Sequence, residues 1–534
     1  MRRCLVAGGL FLGSLALSAT ASAGGPTSRY YAADTDGIFW FMHISDLHVD
    51  TSTSVPTDNL QFALGEAVDV IAPFAVFASG DLTDGSLLGI PTSGQDQGEW
   101  DLYKSAIADS NVTSSFYFDM PGNHDGYGDH GLSHYLSNSM QGQATGKLFS
   151  DTTYTTPLGD YYFVAMNSAG TFDTPFSFGN PSFTNVDDLT AGLDAHKSAQ
   201  LVFVFAHHHL VPHGITDAQT KLGIGGADNP PSNVGDVVPL LESAGAFYLH
   251  GHVHQYKESM QGNIVTEQIG KFGSQPSVDR SSLDAWDQTK YESNIGVGIV
   301  DHNAFIYRTT DTTNPWPFVA ITAPVDINLQ GGGIPAGKDL GVSYDGDYLA
   351  YGAQKNPYAY DVCGDRKDNP VRALVVARDP VSSVTVSLDA SAMGLLQPAA
   401  SPQGIYTGTM DTTGVTPGVH AVTVTAVVGN AVRSDSIQIN LTAGPCDALV
   451  DAGADAGADD AATDAAPGAD AEVADADGQD AGTGDAGAEP ATPDTSASTS
   501  SGCGCSTPGT SPTALGSLAW LGVLALLRRR RGSA

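Results

Sequence analysis

Basic residues are scarce in this chain of 534: 23 Lys and Arg stand against 59 Asp and Glu, a formal net charge of −36. A surface this acidic repels polyanions and argues against nucleic acid as a partner. Cysteine is scarcer still, with five residues. Cys4 lies in the N-terminal apolar stretch and Cys503 and Cys505 lie near the C-terminus, which leaves Cys363 and Cys446 for the body of the chain. Those two could form one disulfide in an exported protein. Neither lies near the histidine-rich patches described below, so a thiolate-bound metal is disfavoured. Long apolar runs are missing as well. The two that stand out, Cys4 to Leu17 and Leu515 to Leu527, are both short for a comfortable membrane span. No internal repeat is evident outside one Ala/Asp-rich tract.

The ends have their own organisation. Arg2 and Arg3, the apolar stretch and then Ala21-Ser22-Ala23 read as a secretory signal peptide over 1–23, with the mature chain starting near Gly24. From Asp447 to Asp494 there are 14 acidic residues and no Lys or Arg, mostly among Ala and Gly. Such a tract cannot bury a core, and residues 447–500 are expected to form an extended, disordered linker. Residues 501–534 hold Gly502-Cys503-Gly504-Cys505, a Pro/Ser/Thr spacer, the apolar run and Arg528 to Arg531. An apolar run with a cationic stop is a membrane-retention layout, the arginines on the cytoplasmic side.

Between the ends, residues 24–324 alternate short apolar runs with helical stretches such as Asn59 to Ile71 and Val186 to His196. Ile38 to Met42, Ala75 to Phe77, Phe116 to Phe118, Tyr161 to Met166, Leu201 to Phe205 and Ala246 to Leu249 are β-branched or aromatic and read as buried strands. The alternation predicts an α/β domain of stacked sheets with helices outside. Residues 325–446 lose the helical pattern. Val384 to Leu388, Val422 to Val427 and Ile437 to Leu441 predict an all-β sandwich of the immunoglobulin type, with Cys363 and Cys446 stapling its ends.

The chemistry sits in five polar patches, most of them directly behind those runs: Asp46-Leu47-His48; Gly80-Asp81 with Asp84; Gly122-Asn123-His124-Asp125; His207-His208-His209; and Gly251-His252-Val253-His254. Hard oxygen and imidazole donors in this number suffice for two metal ions. A pair of metals suits hydrolysis of a phosphate ester, which needs a hydroxide and charge neutralisation. Mixed nitrogen and oxygen donors disfavour a pure Mg or Ca site and favour Mn, Fe or Zn.

The ordered series Asp-x-His, Gly-Asp-x-x-Asp, Gly-Asn-His-Asp, His and Gly-His-x-His resembles the calcineurin-like metallophosphoesterases over residues 38 to 260. The resemblance implies a four-layer α/β/β/α sandwich and hydrolysis of phosphate mono- or diesters by metal-activated hydroxide. It implies that Asp46, His48 and His254 bind one metal, that Asn123, His252 and one histidine of the triplet bind the other, and that Asp81 bridges. His207 is our choice from the triplet, because it comes first after the strand; His208 is the alternative. His209 and His213 are expected at the rim or in solvent, and His250 in a structural role. His124 would face the substrate, stabilising phosphoryl oxygens or donating a proton, and Asp125 would orient it. The third position after Gly80-Asp81 is Asp84 where purple acid phosphatases place a tyrosine, so a purple ferric centre is not expected. Asp84 would instead support the loop or a metal-associated water.

The C-terminal segment resembles the sorting segments of myxobacterial surface proteins, a cysteine before a short hydrophobic helix and an arginine cluster. That implies processing or anchoring at Cys503 or Cys505. The expected protein is exported and held at the cell surface or outer membrane, attached to the envelope by its tail, with a secreted fraction. The alternative is a surface adhesion or scaffold protein, its Ig-like module binding a partner and its phosphoesterase domain a relic.

Overall fold

The computed structural model describes residues 31, 33–86, 94–129, 131–170, 181–210, 230–273, 294–333 and 348–443. The signal peptide (1–23), the linker (447–500), the C-terminal segment (501–534), Cys446 and His213 lie outside the described residues. Among the described residues no helix is long and apolar enough to cross a membrane.

The strands are, in chain order, β1 (Ile38–Ile44), β2 (Val76–Ser79), β3 (Tyr117–Met120), β4 (Phe149–Thr156), β5 (Gly159–Met166), β6 (Val202–Phe205), β7 (Phe247–His250), β8 (Lys257–Gln261), β9 (Ile264–Gln268), β10 (Asn294–Asp301), β11 (Ala304–Asp311), β12 (Phe318–Ala323) and β13 (Gly331–Gly332). One sheet has the order β11-β10-β1-β2-β3, with β1, β2 and β3 parallel. The other has the order β13-β8-β9-β7-β6-β5-β4, with β5, β6, β7 and β9 parallel. Parallel neighbours need crossovers, and the crossover helices cover the outer faces.

Alternation along the strands builds three cores. Phe39 and Phe41 of β1 point between the sheets, where they meet Phe77, Phe163, Phe203 and Phe205. Phe77 and Phe205 stack face to face across the interface at 4.0 Å. Trp40 and Met42, on the other face of β1, pack with Leu60, Leu64 and Ile71 of the helical stretch Val55–Ile71 and with Trp100 and Tyr103 of the helix Gln97–Asp109. Val164 and Val204 turn outward from the second sheet to Leu189 and Leu241 of the helices Val186–Ala195 and Val234–Ala244. Each fully buried aromatic ring of this kind contributes roughly 1.5–3 kcal/mol.

The remaining strands are β14 (Asn369–Val376), β15 (Ser383–Leu388), β16 (Ser391–Leu395), β17 (Gln397–Pro398), β18 (Ile405–Met410), β19 (Gly418–Val428) and β20 (Ala431–Leu441). They form two four-stranded antiparallel sheets, β12-β14-β18-β17 and β16-β15-β19-β20, which share one aliphatic core. Mixed α/β structure followed by all-β sheets is thus the architecture. Cys363 is disulfide-bonded. Around residue 324 the two parts interleave: β12 precedes it and joins the C-terminal sheets, while β13 follows it and pairs with β8. Ion pairs bolt the parts together, a buried one of Arg372 with Asp301 at 2.7 Å and a partly buried one of Arg308 with Asp435 at 3.2 Å.

Candidate metal centre

Five loops at the C-terminal ends of parallel strands converge, which is where open α/β sheets gather ligands. Asp46 and His48 follow β1, Asp81 and Asp84 follow β2, Asn123, His124 and Asp125 follow β3, His207 follows β6, and His252 and His254 follow β7. Asp46, His48, Asp81, His252 and His254 all have positive φ, between 45° and 72°. Non-glycine residues rarely adopt this conformation, and strain of this kind concentrates at functional sites. Two glycines permit the close approach. A Cβ on Gly122 would lie 2.2 Å from Asp81 Oδ1, and one on Gly251 would lie 2.2 Å from Asp46 Oδ2.

Two groups of donors share Asp81. In the first, His254 Nε2 is 3.2 Å from Asp46 Oδ1, and His48 Nε2 is 3.6 Å from Asp81 Oδ2. In the second, His207 Nε2 is 3.2 Å from Asp81 Oδ2, 3.0 Å from Asn123 Oδ1 and 3.2 Å from His252 Nδ1. Asp81 Oδ1 accepts the His124 amide hydrogen at 2.9 Å, which leaves Oδ2 facing both groups. Either group could hold a metal ion.

Three of the donors are aimed from behind. His48 Nδ1 lies 3.1 Å from the Asp84 carboxylate and His207 Nδ1 lies 2.8 Å from the Ser79 carbonyl, so both rings turn Nε2 inward. The Asn123 amide donates to the Tyr127 hydroxyl at 2.7 Å and thereby points its oxygen inward. His48 Nε2 and His254 Nε2 then face each other at 3.1 Å. With Nδ1 of His48 donating to Asp84, its Nε2 carries a lone pair, and lone pairs converging on one point suit a cation. Burial, reinforced by the Lys271 charge, holds the His48 imidazole well below its usual range, and a neutral imidazole is the form that binds metal. Burial would raise Asp46 and Asp81, but the surrounding imidazoles carry both below the ordinary aspartate value. Burial would likewise lower His207, but Asp81 beside it pushes it up to about 9.

Among the described residues, the cluster is exposed along one edge. Asp46, Asp81 and His207 are almost wholly buried, whereas the side chains of His254, Asp84 and His124 are 24%, 21% and 16% exposed. His124 stands at this mouth, with Nε2 3.9 Å from Asp81 Oδ2.

Residues 39–256 match the family model of the calcineurin-like phosphoesterases. The chain carries a calcineurin-like metallophosphoesterase domain. Over 173 residues it is 28% identical to a candidate metallophosphoesterase of Arabidopsis thaliana, covering 30% of this chain and 23% of that protein. Over 142 residues it is 28% identical to Transmembrane protein 62 of Mus musculus, covering 26% and 22%. The chain therefore matches less than a quarter of the length of these curated relatives. Solved structures with some likeness include GAP50, the anchor in the inner membrane complex of Plasmodium, at 12% identity and a TM-score of 0.34 over 52% of this chain and 86% of that one. A candidate 5'-nucleotidase of Staphylococcus aureus has 12% identity and a TM-score of 0.32 over 51% and 53%.

Within the calcineurin-like domain, the structure brings together Asp46, His48, Asp81, Asn123, His207, His252 and His254. His208 turns away, with Nδ1 3.0 Å from the Ser168 hydroxyl. His209, expected at the rim, is fully buried, and so is His250. Asp125 does not orient His124. Its carboxylate accepts the amide hydrogens of Leu82, Thr83 and Gly122 at 3.1, 2.9 and 2.8 Å, and so clamps the Asp81 loop. Burial and then the Asp81 charge push the Asp125 carboxyl up to about 7. The ring of His124 is instead held by the Asp84 carbonyl, 2.8 Å from Nδ1. Sequence reasoning missed Ser79, Tyr127 and Lys271. Ser79 directly precedes Gly80 and Tyr127 follows Asn123 by four residues, so position within the patches was a usable signal for both. Lys271 carries no motif; it joins the site because Phe272 and Gly273 donate backbone hydrogen bonds to Ser45 and Asp46 at 3.0 Å.

Proposed function

We propose that this protein is an exported, surface-held phosphoesterase that hydrolyses phosphate mono- or diesters at a pair of metal ions. The observation that carries the reading is Asp81 Oδ2, which lies within reach of imidazoles from both donor groups. Asp46, His48 and His254 would hold one ion, Asn123, His207 and His252 the other, and Asp81 both. Mn, Fe or Zn fits these donors better than Mg or Ca. When bound, the metals would polarise the phosphoryl group and activate water for attack.

The chain's own residues supply the rest. The buried carboxylates and the imidazoles, neutral once a metal displaces their protons, would hold the cations, and the exposed edge would admit a phosphate ester. His124 stands on that side with Nδ1 anchored to a carbonyl. Its Nε2 is thereby free to hold a proton against the phosphoryl oxygens or pass it to the departing alcohol. Lys271, half-buried beside the mouth, adds a positive charge that complements an incoming anion. The complete donor set speaks against a relic scaffold. Export and surface attachment rest on the signal peptide and tail read from the sequence, and the C-terminal β-sheets are assigned an Ig-like spacer role.

Purified full chain, loaded with Mn, Fe or Zn in turn, should hydrolyse p-nitrophenyl phosphate, bis-p-nitrophenyl phosphate or both. Two equivalents of bound metal with turnover support the reading. No bound metal and no turnover on either ester would overturn it.

A further inference from the structure

Three residues before Asp46, the His43 side chain is fully buried and engages both ring nitrogens. Nδ1 lies 2.8 Å from the Tyr307 hydroxyl and Nε2 lies 2.8 Å from the Ser79 hydroxyl. Burial pushes the imidazole down to about 3, with the Asp46 charge resisting, so the ring is neutral at ordinary pH. A neutral ring bonded at both nitrogens links Tyr307 to Ser79 in either tautomer.

The bland reading is a satisfied core histidine. Two observations separate this one from that background. The Ser79 carbonyl is the acceptor that turns His207: it takes Nδ1–H of His207 at 2.8 Å and the Ser45 hydroxyl at 3.0 Å. The Tyr307 hydroxyl also reaches His43 through a gap left for it. Gly296 lies between them in β10, and a Cβ there would sit 1.8 Å from the Tyr307 oxygen. The hydrogen-bonded series Tyr307, His43, Ser79 and His207 therefore starts on the edge strand β11, passes through β1 and β2, and ends on a ligand candidate carried by the opposite sheet.

We infer that His43 and Tyr307 are positioning residues for His207, holding Ser79 so that its carbonyl keeps the His207 Nε2 aimed between Asp81, Asn123 and His252. The inference rests on the two-metal reading above and assigns a task to a buried histidine that this reading leaves unused. Groups that brace a metal-binding histidine from behind are typically worth about 10–100-fold in metal affinity. The loss should fall on the second metal position alone, because the series ends on His207 and His48 in the first group is braced separately by Asp84.

The test is a cobalt titration of the metal-free full chain, followed by visible absorption, on the unaltered protein and on Tyr307→Phe, His43→Leu and His43→Gln. Melting temperatures of the metal-free proteins are measured alongside. In Tyr307→Phe the first equivalent should bind as before and the second about tenfold more weakly. His43→Gln, which keeps a donor and an acceptor, should recover most of what His43→Leu loses. Unchanged affinity for both equivalents in Tyr307→Phe overturns the inference. So does an equal weakening of both equivalents together with a lowered metal-free melting temperature, the mark of a merely structural residue. Should His43→Leu fail to fold, Tyr307→Phe, which removes one oxygen atom, still decides. Unaltered protein that takes up only one cobalt refutes the two-metal reading itself, and that result is visible before any variant is compared.

Discussion

The imidazole Nδ1 of His124 lies 2.8 Å from the backbone carbonyl oxygen of Asp84, while the carboxylate of the same aspartate lies 3.1 Å from Nδ1 of His48. One residue therefore steadies a ligand candidate through its side chain and, through its main chain, the histidine proposed to handle the proton. Replacing the side chain separates the two. Asp84→Ala should weaken metal binding at the His48 position by about 10–100-fold. At saturating metal it should retain most turnover, since the carbonyl remains. Metal titration combined with turnover at high metal checks this. A collapse of turnover at full metal occupancy would count against the division.

His124→Ala should behave in the opposite way. Metal content stays at the unaltered level, and turnover falls by roughly 10²–10⁴-fold, the usual contribution of a positioned acid or base. Elemental analysis beside kcat settles it; loss of metal in this variant would move His124 into the ligand set.

Asp125→Ala should be a stability variant. It strands three amide hydrogens that the carboxylate now accepts, and buried donors left unsatisfied cost about 1–3 kcal/mol each. Urea denaturation should show a loss of roughly 3 kcal/mol or more, with metal retention impaired because the Asp81 loop loosens. An unchanged midpoint with lost turnover would restore a direct role in the reaction.

Lys271→Gln should raise KM for p-nitrophenyl phosphate by about tenfold, a change of roughly 1.4 kcal/mol in binding, and leave kcat within twofold. Lys271→Arg should restore it. The prediction fails if KM and inhibition by inorganic phosphate are both unmoved.

Asp119 gives a pH dependence away from the candidate metal site. It is fully buried on β3 and accepts from the Tyr103 hydroxyl and the Met140 and Gln141 amides at 2.6, 2.7 and 2.8 Å. Burial pushes its carboxyl from 3.8 up to about 6, against the pull of those hydrogen bonds. Between those values the folded chain keeps a proton that the unfolded chain has released. Stability attributable to this group therefore falls as pH rises through that window and levels off above it, by an amount on the order of 3 kcal/mol. Denaturation of Asp119→Asn and the unaltered chain at pH 4, 5 and 7 should show the gap between them shifting in the variant's favour as pH rises. Parallel curves would refute it.

Much of the site was legible in the sequence because each donor patch directly follows an apolar strand and stands at its C-terminal end. What remained open depended on partners far along the chain. The choice between His207 and His208 is made by Ser79 and Ser168, 128 and 40 residues away respectively. The role of Asp125 was misread because its partners are backbone amides, which leave no trace in residue identity. The burial of His209 was missed for the same reason that short polar triplets usually mislead: histidine is equally at home in solvent and in a satisfied interior. The all-β character of the C-terminal part was plain in its alternating residues, but the place where it begins was not. β12 is apolar enough to suit either layer, and β13 is only two glycines long.

That short glycine strand has a consequence for how such a protein can be inherited. A recombination joint at residue 324 would leave β12 with the first fragment and carry β13 off with the second. The first product would expose the β8 edge and hold a strand with no β14 to pair with. The two layers therefore cannot be traded as cassettes at that point. Chimeras built there should aggregate, and because β12 precedes β13 in the chain no single joint keeps each strand with its sheet, so only exchange of both parts together should give soluble protein.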